Sequence, residues 1–128
     1  MKKIAALFLV IGSLVTSCDS DVIEPAEGCD LVQTSYSTNV KAIIDQTCAY
    51  SGCHDGAGGI GPGNYTTYDG MLRFLEDGSF AARVITLKDN PSRGMPPDRS
   101  VYPESQQDDL SETQLEIITC WLQEGFPQ

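Results

Sequence analysis

Apolar residues recur every three or four positions in three stretches of the chain, and each stretch closes on small or turn-forming residues. Val40, Ile43, Ile44 and Cys48 make the first stripe, on a helix predicted to start near Tyr36 and to end at Cys48. Tyr65, Tyr68, Leu72 and Leu75 make the second, with Met71 and Phe74 beside it, up to Gly78. Met71 within that stripe reads as core. The third stripe is the best defined. Ser111 with Gln114 has the capping-box pattern, Leu115, Ile118 and Leu122 form the predicted inner face, and Gly125 ahead of Pro127 ends the helix. Phe80 to Leu87 is a shorter apolar segment, also predicted helical. Gly52, Gly56, Gly58, Gly59, Gly61 and Gly63 rule out regular structure up to Asn64. Lys88 to Asp109, with Pro91, Pro96, Pro97 and Pro103, is a polar loop of a length that usually marks function in a small domain. No strand alternation and no internal repeat is visible. The expected fold class is therefore all-α, a small helical domain with long loops.

Ahead of Tyr36 the pattern changes. Met1-Lys2-Lys3 is a basic start, and Ile4 to Val15 is an apolar run too short to span a bilayer but suited to a secretory signal. It ends in Val15-Thr16-Ser17-Cys18, which resembles the lipobox of bacterial lipoproteins. That resemblance implies cleavage before Cys18, lipid attachment at Cys18, and anchoring to a membrane surface in the bacterial envelope, facing the periplasm or the cell surface. Asp19 to Asp30 is acidic and poor in large apolar residues. The expected organisation is a signal peptide over 1–17, an acidic tether over 18–35 and one domain over 36–128.

The chain carries 8 basic and 18 acidic residues. Removal of Lys2 and Lys3 with the signal makes the excess of negative charge larger. Such a balance argues against nucleic acid and against an electrostatic hold on anionic lipid. It suits a basic partner protein, for which complementary fields speed encounter.

Candidate chemistry concentrates in Cys48-Ala-Tyr-Ser-Gly-Cys53-His54, two thiols followed by the one histidine of the chain. Two cysteines with a histidine directly after the second form the arrangement that fixes a c-type haem, with the imidazole held against one face of the iron. The spacer here has four residues where two are usual, and Gly52 gives the backbone freedom to bulge. Met95, in Arg93-Gly94-Met95-Pro96-Pro97, is the candidate for the opposite axial position. Excluding Cys18, the remaining cysteines are Cys29 and Cys120, assigned to one bridge worth roughly 4 kcal/mol on a chain-entropy estimate. Tyr65, Tyr68, Phe74, Trp121 and Phe126 are candidate pocket walls. Arg73, Arg83, Arg93 and Arg99 are candidates for pairing with haem propionates, with Arg93 and Arg99 favoured because they flank Met95. No Ser/His/Asp or paired-carboxylate constellation points to an enzyme. Two other schemes use the same residues. One is a haem-free lipoprotein binding module with Cys48 bridged to Cys53; the other is a zinc or copper site built from Cys48, Cys53, His54 and Met95.

From Thr38 to the end, the order of these features resembles the class I cytochrome c family. A helix leads into the Cys-Cys-His motif; Gly61-Pro62, the Met-Pro loop and an amphipathic helix from Leu110 to Gly125 follow. The resemblance implies a cytochrome c-like fold with haem-wrapping loops, covalent haem c, His54/Met95 ligation of iron, and electron transfer. It also implies that the Pro62 carbonyl orients the His54 ring. Finally, the Val40/Ile44 face should pack against the Leu115/Ile118/Leu122 face.

Overall fold

The structure, a computed structural model, describes residues 28–128. The expected signal peptide, Cys18 and most of the expected tether lie outside the described residues.

Each helix is set by a local cap and an apolar face. Ser35 begins the first: its hydroxyl accepts from the Thr38 N–H at 3.1 Å, and a π-helical turn, Tyr36–Val40, runs directly into α1, Lys41–Thr47. Tyr36, Val40, Ile43 and Ile44 are buried on its inner side. Thr67 caps α2, Tyr68–Glu76, by accepting from the Gly70 N–H at 3.2 Å. Met71 and Leu75 are buried there, whereas Leu72 is half-buried. Gly78, at φ 73°, turns the chain into α3, Ser79–Ala81, which continues as a π-helical turn over Ala82–Thr86 and buries Phe80 and Val84. The last helix, α4, spans Glu112–Gln123. Its capping box is formed in both directions, Gln114 N–H to Ser111 Oγ at 3.2 Å and Ser111 N–H to Gln114 Oε1 at 2.9 Å. Gly125, at φ 81°, closes it, and the Phe126 N–H donates back to the Trp121 carbonyl at 2.8 Å.

The architecture is helical. Among the described residues the only β pairing is an isolated bridge between Asp55 and Asn64. None of the described helices is long and apolar enough to cross a membrane. Helix α4 packs on the Tyr36–Val40 turn, and α2 packs on α3. Trp121, with no exposed surface, joins the two halves, its ring lying 6.4 Å from both Tyr36 and Phe80. A buried indole excludes more water than any leucine in this helix, so it decides which face turns inward. The inner face of α4 is therefore Ile118 and Trp121, with Ile117 and Leu122 packed beside them. Leu115, expected on that face, is half-buried and lies outside the core cluster.

The two ends of the described chain are fastened together. A disulfide joins Cys29 to Cys120. The Thr34 hydroxyl donates to Glu124 at 2.6 Å, and the Tyr36 N–H donates to the Pro127 carbonyl at 2.8 Å. Trp121 Nε1–H donates to the same carbonyl at 2.8 Å, and the Tyr68 hydroxyl donates to the Phe126 carbonyl at 2.8 Å. Residues 28–35 thus lie against the end of α4.

Candidate functional site

Where α1 ends, the chain folds back on itself. The N–H groups of Cys48 and Ala49 both donate to the Ile44 carbonyl at 2.8 Å. Cys53 N–H then donates to Tyr50 O at 3.1 Å, and His54 N–H donates to Cys48 O at 3.1 Å. The four-residue spacer is thereby closed into a loop whose tightest corner is Gly52, at φ 90°, a conformation that favours glycine. Both thiols end up buried and unbonded to each other, lining one cavity of about 460 Å³. Burial pushes the Cys48 thiol up to about 11, a shift only partly offset by the Thr47 hydroxyl at 3.2 Å.

The Asp55–Asn64 bridge clips the base of the glycine-rich loop and brings Gly61 and Pro62 over His54. His54 Nδ1 lies 2.8 Å from the Pro62 carbonyl oxygen. A carbonyl only accepts, so Nδ1 carries the ring proton and Nε2 keeps its lone pair. Burial lowers the pKa of this imidazole below its ordinary value, opposed in part by the Pro62 bond, which favours the protonated ring. The ring is also held from both faces. Tyr65 stacks on it with centroids 4.1 Å apart and planes 6° from parallel. On Gly61, a Cβ would stand 2.5, 2.6 and 2.7 Å from Cε1, Nδ1 and Nε2. Such near-equal distances put it over a ring face, and because no Tyr65 atom is nearer, that face is the one opposite Tyr65. Only glycine fits there.

Met95 enters the same cavity from the opposite loop. The Asn90 side chain accepts from the Ser92 and Arg93 N–H groups, and Gly94 N–H donates to Asn90 O at 2.7 Å. Met95 N–H donates to Arg83 O at 3.1 Å, while the Arg83 guanidinium donates to Arg93 O at 3.0 Å. These bonds pin the methionine to α3 and its continuation. Pro96 and Pro97 follow, both buried against the cavity.

The rest of the wall differs from expectation in two ways. Tyr65, Phe74 and Phe80 line the cavity, whereas Tyr68, Trp121 and Phe126 belong to the packing behind it. Of the four arginines, Arg73 and Arg83 line the cavity, because α2 and the α3 continuation build that side. Neither makes an ion pair among the described residues. Arg99 instead forks onto Asp108, with Nε and Nη2 at 3.0 and 2.9 Å, and Arg93 contributes its carbonyl to Arg83. Sequence reasoning also missed Tyr50 and Tyr102, which line the cavity. Tyr50 sits within the spacer, where length alone drew notice. Its phenol is pushed up by burial and by the Cys53 thiol beside it.

Among the described residues no three His, Cys, Asp or Glu side chains are grouped to hold a metal ion, so Cys48, Cys53 and His54 do not form a zinc cluster. Comparison with protein-family models, curated proteins and solved structures gives no match for this chain.

Proposed function

We propose that the chain is a monohaem c-type cytochrome, an electron carrier with a cytochrome c-like helical fold, tethered to a membrane of the bacterial envelope by lipid on Cys18. The observation that carries this is the convergence of Cys48, Cys53, His54 and Met95 on one cavity, with the histidine proton parked on Nδ1. Size and lining support it too. At about 460 Å³ the cavity falls in the usual range for a cofactor site, and its aromatic walls are interrupted by two guanidinium groups without a carboxylate partner among the described residues.

Bound there, the haem supplies reversible one-electron exchange. The protein's residues divide the remaining work. Cys48 and Cys53 offer the thiols for covalent attachment; both are buried, and burial raises the Cys48 thiol so that it stays protonated at neutral pH. His54 offers Nε2, oriented by Pro62, Gly61 and Tyr65. Met95 offers a thioether, a ligand that favours the reduced iron and raises the potential. Arg73 and Arg83, which line the cavity, would offer guanidinium groups to the propionates. Tyr65, Phe74 and Phe80 keep water from the iron site. The acidic composition suits docking with a basic redox partner. The haem-free binding module would need Cys48 bridged to Cys53, and no observation favours it.

The test is intact mass and a reduced-minus-oxidised visible spectrum, on protein made alongside a c-type haem maturation system. A gain of one haem that survives denaturation, with sharp reduced α and β bands, is expected. A haem-free product with Cys48 and Cys53 oxidised to a disulfide would overturn the proposal.

A further inference from the structure

The loop 88–109 is anchored well at its methionine end and sparsely beyond it. Past Pro97 its hydrogen bonds are mostly internal: Val101 and Tyr102 N–H to Asp98 O, Ser105 N–H to Tyr102 O, Ser105 Oγ to Gln107 O, and the exposed Arg99–Asp108 pair. One bond is of another kind. Gln106 N–H donates at 3.0 Å to the hydroxyl of Tyr50, a residue of the Cys48–Cys53 spacer. Tyr50 is half-buried, borders the cavity, and lies against the Cys53 thiol and the buried Ser105. The spacer therefore reaches across the cavity's edge to the loop that delivers Met95.

We propose that Tyr50 is a positioning residue for the distal ligand: its hydroxyl clasps the 88–109 loop to the attachment motif and thereby holds Met95 in the cavity. This gives the two additional spacer residues a task, since the same segment that carries the thiols also fixes the far wall. It rests on the haem reading above. Tyr50 acts through the loop, by way of its bond to Gln106.

Tyr50→Phe removes one oxygen and keeps the ring. In the ferric, haem-loaded protein, methionine ligation is followed by its weak far-red band, and imidazole is titrated in to displace Met95. Imidazole binds only when the loop has swung away, so its apparent dissociation constant scales inversely with the open fraction. Losing one neutral hydrogen bond is expected to lower that constant by about twofold to tenfold. His54 ligation and covalent attachment should be retained, as read from the α and β bands and the mass. An unchanged imidazole constant with haem in place would overturn the clasp and leave the cytochrome standing. A wild-type chain that takes up no haem would overturn both. Hydrogen exchange in the haem-free chain gives a second readout. The Met95 N–H, bonded to Arg83 and remote in sequence from Tyr50, should exchange faster in Tyr50→Phe if the clasp holds the whole loop. Acceleration at Gln106 alone would overturn it.

Discussion

Replacing Gly61 with alanine tests the orientation of His54 most directly. Gly61 is not in the left-handed region, so its backbone tolerates alanine, and the perturbation is the methyl group alone. That methyl would lie 2.5 Å from the His54 Cε1, where carbon atoms in contact sit about 3.5–4.0 Å apart. The ring would have to retreat by about 1 Å. Behind it stands Tyr65 at 4.1 Å, itself braced by Phe74 and Phe80 with centroids at 5.3 and 6.1 Å. The ring therefore tilts away from Pro62 or drives Tyr65 into the core. Overpacking of this kind costs about 1–3 kcal/mol. Loss of the Nδ1–H bond adds about 0.5–1.5 kcal/mol. We expect Gly61→Ala to destabilise the haem-free chain by about 2–4 kcal/mol, seen as a fall in Tm of roughly 10–20 °C. In ring ¹⁵N spectra the Nδ1–H tautomer should lose its dominance. Gly58→Ala is the control. Its Cβ meets nothing within 4 Å, and at φ 95° it carries only a backbone cost of about 1–2 kcal/mol, with the tautomer unchanged. A loss below about 0.5 kcal/mol in Gly61→Ala, with Nδ1–H intact, would refute the account of a ring gripped from both faces.

Three further outcomes are expected. Replacing Cys29 by serine together with Cys120 by alanine opens a bridge between residues 91 apart, and urea unfolding should show a loss of about 4–5 kcal/mol; a loss under about 1 kcal/mol would contradict the bridge's role as a staple. Burial raises the Cys48 thiol to about 11 from 9.0, so the haem-free fold is stabilised fully below pH 9 and loses that contribution as pH rises towards 11, and iodoacetamide should label Cys48 slowly at neutral pH. Rapid labelling of Cys48 at neutral pH in the folded chain would count against it. The Arg99 guanidinium holds the Asp108 carboxyl down to about 2, so the pair persists above the ordinary carboxylate range and is lost as pH falls through about 2. In an NMR titration, Arg99→Gln should raise the Asp108 midpoint towards the ordinary carboxylate range without fully reaching it, because the residue 99 N–H still donates to Asp108 Oδ1 at 2.9 Å. An unmoved midpoint would show that the guanidinium is not its cause.

Much of the helical frame was legible because its signals are local. The Ser111/Gln114 box, the Gly125 stop and the run into Cys48 each depend on residues a few positions apart, and all three stand in the structure. Which face of α4 turns inward was less legible, since Leu115, Ile118, Trp121 and Leu122 are all apolar and only the distant Tyr36 and Phe80 decide among them. The same holds at the cavity. Sequence order grouped Arg93 and Arg99 with Met95, but a loop that doubles back pairs Arg99 with Asp108 and leaves the wall to Arg73 and Arg83. Tyr65 against His54, Gly61 over the ring and Tyr50 against Gln106 are contacts between segments, and nothing in spacing announces them.

The fastening of residues 29–36 to residues 120–127 has a consequence for how this unit can be deployed. Entry and exit of the described chain meet at one corner, through the Cys29–Cys120 bridge and the shared Pro127 carbonyl. A domain built this way behaves as a cassette: it can be spliced into a surface loop of a host protein, or joined to one at either end, without pulling its core apart. It also hangs from a single hinge point. Any leash attached ahead of Cys29 would let the whole body swivel as one piece, so that the leash's length, rather than any bending within the domain, would set how far it can swing to meet a partner.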